Sequence, residues 1–200
     1  MQLILIIQLI QKLIFKMNNK KCNFFILLFY VFIFSHISYA ETWETAAPPV
    51  EKTVNLGIFP QKYFSKSATM INVQLGYDFS SVFELNFRAG FGGLDSYFGL
   101  FFKHFLLATQ LFDLSLDGGI FSQNGMHGDF GFILSRPFGN FEPYLAETVQ
   151  FRTGDEKSLG LGVSFGTAMG ITTWLKAFVE YHMNVNDSHN AISAGVKTLL

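Results

Sequence analysis

The feature that most constrains the fold of this chain is a strict alternation of apolar and polar side chains. In residues 70–79 the odd positions are apolar, and the even positions include Asn72, Gln74 and Asp78. Residues 83–92 repeat the pattern, with Leu85 and Phe87 alternating with Asn86 and Arg88. An α-helix would place its apolar residues three and four positions apart, so a period of two predicts β-strands.

The same alternation, with small defects, recurs along the chain and predicts ten strands. The connecting segments are short and rich in Gly, Asn, Asp, Ser and Pro, which are turn-forming residues. Because no helical segment separates the strands, they are expected to be antiparallel. The sequence therefore predicts an all-β, closed, up-and-down barrel over residues 53–200, with eight strands and one hairpin outside the wall as the alternative. The predicted strands are 53–60, 70–79, 83–92, 97–106, 112–120, 129–135, 141–152, 159–166, 174–183 and 192–200.

Residues 1–40 have the character of a secretory signal. They contain four lysines and no acidic residue, and their uninterrupted apolar stretch is 24–34. That stretch is shorter than the roughly 18 residues that span a bilayer as a helix. Ser38-Tyr39-Ala40 matches the small-x-small cleavage pattern, so we expect a cleaved signal, with an uncleaved anchor as the alternative. Because residues 1–16 would be an unusually long extension before this signal, the sequence favours translation from Met17.

The composition indicates which face of the barrel points outward. Half of the residues are hydrophobic and only 14% are charged, against about 25% in soluble domains. The formal charge of −1 argues against a nucleic-acid binder, and the apolar content argues against disorder. The polar face is rich in Gly, Ser, Asn and Gln, whereas the apolar face carries side chains too large to fill a small barrel. We therefore expect the apolar face to contact lipid. A soluble, periplasmic, lipocalin-like barrel that binds an apolar ligand is the alternative.

With this facing, residues 53–200 resemble the small outer-membrane β-barrel proteins of Gram-negative bacteria, the class that includes the OmpA and OmpX barrels. The resemblance rests on the strand pattern, and the ending Thr198-Leu199-Leu200 departs from the terminal aromatic residue common in that class. It implies an outer-membrane location, lipid and the outer-membrane assembly machinery as partners, and a structural or narrow passive-pore role. Both termini would lie on the periplasmic side, with residues 41–52 as a periplasmic tail.

The polar face that would line the lumen carries charges of both signs. Buried charges are costly unless they are paired, so the near-balance predicts a network that fills and rigidifies the lumen. A narrow pore is the alternative. The predicted network comprises Glu84, Arg88, Lys103, Asp113, Asp117, Asp129, Glu142, Arg152, Lys176, Glu180, His182 and Lys197.

A catalytic site is the other class of function to weigh. Glu180 and His182 share the inward face of one strand and Ser164 faces inward on the preceding strand, so a lipid-modifying enzyme is a further alternative. No nucleophile motif surrounds Ser164, and we expect no enzymatic activity. His127 and Asp129 supply two metal ligands, which do not define a metal site. The glycines do not form a phosphate-binding loop, so no cofactor is expected.

Overall fold

The structure is a computed structural model that describes residues 43–153, 158–184 and 190–200. The predicted signal over residues 1–40 lies outside the described residues. Within the described residues, no helix has the length and hydropathy that a membrane span requires.

The chain forms a closed antiparallel barrel in which each strand pairs with its sequence neighbours and the first strand pairs with the last. This confirms the ten-strand prediction, and the eight-strand alternative is wrong. The strand bounds predicted from the alternation and the turn residues agree with those of the structure to within a few residues. The strands are β1 (Val54–Tyr63), β2 (Thr69–Ser80), β3 (Phe83–Gly92), β4 (Tyr97–Ala108), β5 (Asp113–Ser122), β6 (Met126–Ser135), β7 (Phe141–Thr153), β8 (Ser158–Gly170), β9 (Leu175–Asn184) and β10 (Ala191–Leu199).

The barrel wall has its apolar residues outside and its polar residues inside. On the outer surface of β2 and β3, Leu75 is 51% exposed and Phe87 is 46% exposed. The alternate side chains, including Asn72, Gln74 and Asn86, are fully buried in the lumen. This is the facing of a barrel surrounded by lipid and the reverse of what a soluble lipocalin-like barrel requires.

Glu147 departs from this pattern. It takes the outward register of β7, between Phe132 on β6 and Val163 on β8. Its side chain is largely buried, and its Oε1 atom has no hydrogen-bond partner among the described residues. This oxygen loses its hydration without gaining a hydrogen-bond partner among the described residues.

Replacing Glu147 by leucine is therefore expected to raise the free energy of unfolding by about 1–3 kcal/mol, the cost of a buried polar group that lacks a partner. Equilibrium unfolding from lipid vesicles measures the change. Glu51→Leu is the control, because Glu51 lies on the exposed approach to the barrel. A loss of stability in the Glu147→Leu variant would show that this carboxyl group makes a favourable interaction.

The two ends of the barrel are distinguished by their connections. We call the end that carries residues 50–53 and Leu200 the terminus end, and the opposite end the far end. The terminus-end connections are residues 81–82, 109–112, 136–140 and 171–174, and the described far-end connections include residues 64–68, 93–96 and 123–125. The short connections that the sequence predicts are confirmed for these three described segments.

Part of the segment before β1 lies inside the barrel. The sequence predicted a tail over residues 41–52, but residues 43–46 are almost completely buried, and they contact side chains of the lumen. We call residues 43–46 the lumen segment. The lumen segment is stable inside the barrel because the Glu44 carboxylate forms ion pairs with two buried lysines of the wall, Lys103 and Lys197.

Candidate functional site

Trp43 anchors the lumen segment to the inner wall. Its indole ring stacks on Phe59 of β1 at a centroid distance of 4.8 Å and an interplanar angle of 5°. Phe59 in turn meets Phe178 of β9 edge to face at 5.8 Å. The wall leaves room for the Phe59 ring at Gly57, where a Cβ atom would come within 2.5 Å of the ring. The Trp43 Nε1 atom donates to Ser193 Oγ at 2.9 Å, so its polar atom is also satisfied.

The backbone of the lumen segment is held by side chains of the wall. Trp43 N donates to Glu180 Oε2 at 3.0 Å, and Ala46 N donates to Ser135 Oγ at 3.1 Å. Ser115 Oγ donates to the Ala46 carbonyl at 2.8 Å. Non-strand backbone can be buried only where such partners exist. The hydroxyl and carboxylate groups of β5, β6 and β9 therefore form a receptor for this segment.

Glu44 completes a charged cluster inside the barrel. Its carboxylate lies 2.6 Å from Lys197 Nζ and 3.4 Å from Lys103 Nζ. Glu84 of β3 contacts the same two ammonium groups, at 2.9 Å and 3.0 Å respectively. We call Glu44, Glu84, Lys103 and Lys197 the central cluster. Its two carboxylates and two ammonium groups balance, which is what allows four buried charges to coexist.

Amide side chains surround the central cluster and donate to the two carboxylate oxygens that also contact Lys197. Asn55 Nδ2 donates to Glu84 Oε1 at 3.0 Å. Gln74 Nε2 donates to the Glu44 carboxylate and to Asn86 Oδ1. Charge-assisted hydrogen bonds of this kind are stronger than those between neutral groups. The polar face that alternation predicts thus supplies three of the four charges and the amide groups that solvate them, and the lumen segment supplies Glu44.

A second cluster lies around Arg88 on β3. The guanidinium group lies 4.5 Å from the centroid of Phe101 on β4 and 3.8 Å from the Asp117 carboxylate on β5. Asp129, on β6, is also buried on the inner face. The aromatic contact and the ion pair together compensate a guanidinium group that is almost completely removed from water.

The third cluster contains the residues considered for catalysis. Ser164 Oγ lies 3.0 Å from His182 Nδ1 and donates to Glu180 Oε1 at 3.3 Å. Glu180 also accepts hydrogen bonds from the Tyr144 hydroxyl and from the backbone of Trp43. Ser164, Glu180 and His182 are at most 2% exposed. The structure brings these three residues together, as the sequence suggested, but it buries them beside the lumen segment.

The remaining predicted charges lie towards the ends of the barrel. At the terminus end, Glu142 lies 3.7 Å from Lys176 and accepts from Ser135 Oγ. Asp113 is buried at the start of β5. At the far end, Arg152 donates to the Asn124 carbonyl at 2.9 Å. The predicted charges therefore divide among local clusters along the barrel axis.

The lumen is more open towards the far end. A cavity of about 250 Å³ lies there, lined by residues of β1 to β7 and their connections, including Tyr63, Lys66, Arg88, Tyr97, Phe121, Asp129 and Arg152. Within the described ranges, no group of three or more His, Cys, Asp or Glu residues is placed to hold a metal ion. The residues that line the cavity do not include those of the lumen segment.

Comparison with known proteins bears on the fold of this chain. No protein-family model and no curated protein matches this sequence. Among solved structures, NanC porin matches 72% of this chain and 100% of its own chain, with 9% identity and a TM-score of 0.52. The N-terminal barrel domain of Pseudomonas aeruginosa OprF matches 75% of this chain and 98% of its own, with 11% identity and a TM-score of 0.41. Acinetobacter baumannii Omp33 matches 75% and 99%, with 8% identity and a TM-score of 0.45. The NanC comparison shows that this chain shares a closed β-barrel fold with that porin.

Proposed function

We propose that this chain is a small bacterial outer-membrane β-barrel protein of the structural or passive-pore type, closed by its own lumen segment. The observation that carries the proposal is the facing of the wall, with large apolar side chains outside and polar side chains inside. A closed barrel with this facing satisfies its backbone in lipid because it has no unpaired strand edge. Lipid is the partner that this surface fits.

The lumen segment supports a closed resting state. Its contacts reach strands on all sides of the barrel, from Phe59 on β1 and Lys103 on β4 to Ser135 on β6 and Glu180 on β9. Solute that passed through the lumen would have to displace Trp43 or break the central cluster. A passive pore therefore requires the lumen segment to leave, and a structural barrel requires it to stay.

The burial of Ser164, Glu180 and His182 argues against an enzyme. A catalytic triad needs a hydroxyl group that a substrate can reach and a site beside it for the reacting atom. Here the hydroxyl group bonds to the glutamate and contacts the histidine in a filled part of the lumen. These groups instead hold Trp43 and Tyr144, which is a structural role.

Single-channel recording in planar bilayers tests whether the lumen segment closes the barrel. The test variant is Trp43→Ala/Glu44→Ala, which removes the stacking on Phe59 and one carboxylate of the central cluster. We expect the unaltered protein to show no discrete conductance steps and the variant to show them, because the central cluster is left with excess positive charge and Trp43 no longer fills the lumen.

The matched control is Glu51→Ala/Lys52→Ala, which changes an exposed pair in the same part of the chain. This variant should remain as silent as the unaltered protein. Equal conductance in all three proteins would show that residues 43–46 do not close the lumen. Silence in all three, with correctly folded barrels, would favour the structural type over the pore.

A further inference from the structure

The terminus end of the barrel carries an unusual set of exposed apolar side chains. Each of its connections presents at least one large apolar residue to the surroundings, and Trp174 is 55% exposed. The chain end adds Leu200, which is 74% exposed. We call this set the apolar rim, and it consists of Val82, Leu111, Phe138, Ile171, Trp174 and Leu200. Turns that are bathed in water are normally polar, so this rim needs a partner.

The far end differs in composition. Its described connections include Ser65, Lys66, Asp95 and Asn124, and Phe64 is their exposed large apolar side chain. The described connections at the two ends therefore differ in their exposed apolar side chains.

The apolar rim is continuous with the outer surface of the wall. Met169 on β8 leads directly to Ile171, and Phe141 on β7 lies beside Phe138, to which it is also hydrogen-bonded through the backbone. No charged residue stands between these pairs in the sequence. The surface that we assign to lipid thus extends past the strand ends into the turns.

Next to the apolar rim, a cation lies against one of its aromatic rings. The Arg136 guanidinium group lies 4.8 Å from the centroid of Phe138. Aromatic side chains together with arginine or lysine are typical of the membrane interface, where the ring enters the apolar boundary and the cation reaches the headgroups. Arginine binds phosphate oxygens with particular affinity.

We propose that the apolar rim is embedded in the interfacial layer of a phospholipid leaflet, with Arg136 directed to the lipid phosphates. The barrel then sits deep at its terminus end, and its far-end connections stand in water. The inference rests on the proposed function, since it requires the wall to be in a bilayer. It goes further by placing one end of the barrel, turns included, at a defined depth.

Tryptophan fluorescence can measure this depth, because Trp43 and Trp174 are the two tryptophans of the chain. Trp43→Phe leaves Trp174 as the reporter and retains a ring to stack on Phe59. The protein is folded into phosphatidylcholine vesicles that contain lipids brominated either near the headgroup or near the acyl-chain end. We expect Trp174 to lose most of its intensity with the first lipid and less with the second, and to resist quenching by aqueous acrylamide.

Two controls use a background in which Trp43 and Trp174 are both replaced by Phe. Phe87→Trp places a reporter at mid-wall, where the deeply brominated lipid should quench it most strongly. Ser96→Trp places a reporter in an exposed far-end connection, where acrylamide should quench it most strongly.

The outcomes separate the inference from the proposed function. If the Phe87→Trp reporter responds to brominated lipid while Trp174 responds to acrylamide, the wall is in the bilayer but the rim is in water, and the inference is wrong. If Trp174 is shielded from both quenchers, a protein covers the rim, either a second copy or another partner, and the inference is again wrong. If the Phe87→Trp reporter does not respond to brominated lipid, the proposed function itself fails.

Discussion

Replacing Glu84 by glutamine should lower the free energy of unfolding by about 3–5 kcal/mol, the cost of leaving a buried charge without its partner. The substitution keeps the shape of the side chain and removes its charge. Lys103 and Lys197 are then left with Glu44 as their shared carboxylate, although both are buried and both contact Glu84 in the unaltered protein. Unfolding by guanidinium from lipid vesicles, followed by tryptophan fluorescence, measures the loss.

A double variant shows whether the loss comes from charge imbalance. Glu84→Gln/Lys103→Met removes one charge of each sign and leaves Glu44 paired with Lys197. We expect it to be more stable than Glu84→Gln alone, because removing a whole buried pair costs less than removing half of it. The single variant Lys103→Met completes the comparison. If the free-energy costs of Glu84→Gln and Lys103→Met simply add in the double variant, the central cluster does not act as a balanced unit.

Leu75→Arg should be the most damaging change on the outer surface. Leu75 lies at the middle of β2 and pairs with Leu56 on one side and Phe87 on the other. In a bilayer this position is near the midplane, where an arginine on the lipid face costs about 2–4 kcal/mol. The same vesicle unfolding experiment measures this cost.

Phe64→Arg is the matched control for Leu75→Arg. Phe64 is about as exposed as Leu75, but it lies in the connection between β1 and β2 at the far end. An arginine there should cost about 0–1 kcal/mol, as expected near the membrane surface. Equal and small costs at both positions would indicate that the outer surface is in water, and the outer-membrane proposal would then be wrong.

Much of the wall could be predicted from the sequence because each strand carries its own signal. The alternation through Leu75 and Gln74, or through Phe87 and Arg88, gives both the strand and the facing of each side chain. Low charge and large apolar residues then indicate lipid outside. These inferences need only near neighbours in the chain, which is why the ten strands and the inner and outer faces agree with the structure.

The contents of the lumen could not be predicted in the same way. Trp43 and Glu44 lie in a segment with no alternation, and their partners Ser193 and Lys197 are separated from them by 150 and 153 residues. Which charges pair depends on how the strands are staggered around the closed barrel, and composition does not reveal this. Trp43 and Glu44, shortly before Pro48-Pro49, are the sequence feature that could have indicated a buried segment. The same residues are also compatible with an exposed tail.

The position of Lys197 sets an order of assembly. It lies on β10, the last strand, and it binds Glu44, which precedes the first strand. The central cluster therefore cannot be complete until β10 has joined the sheet and the barrel has closed. Glu84 and Lys103 lie opposite each other on the neighbouring strands β3 and β4 and can pair before closure, whereas Glu44 gains its contact with Lys197 only afterwards. The N-terminal segment, although it is made before any strand, is among the last parts of the molecule to reach its native contacts.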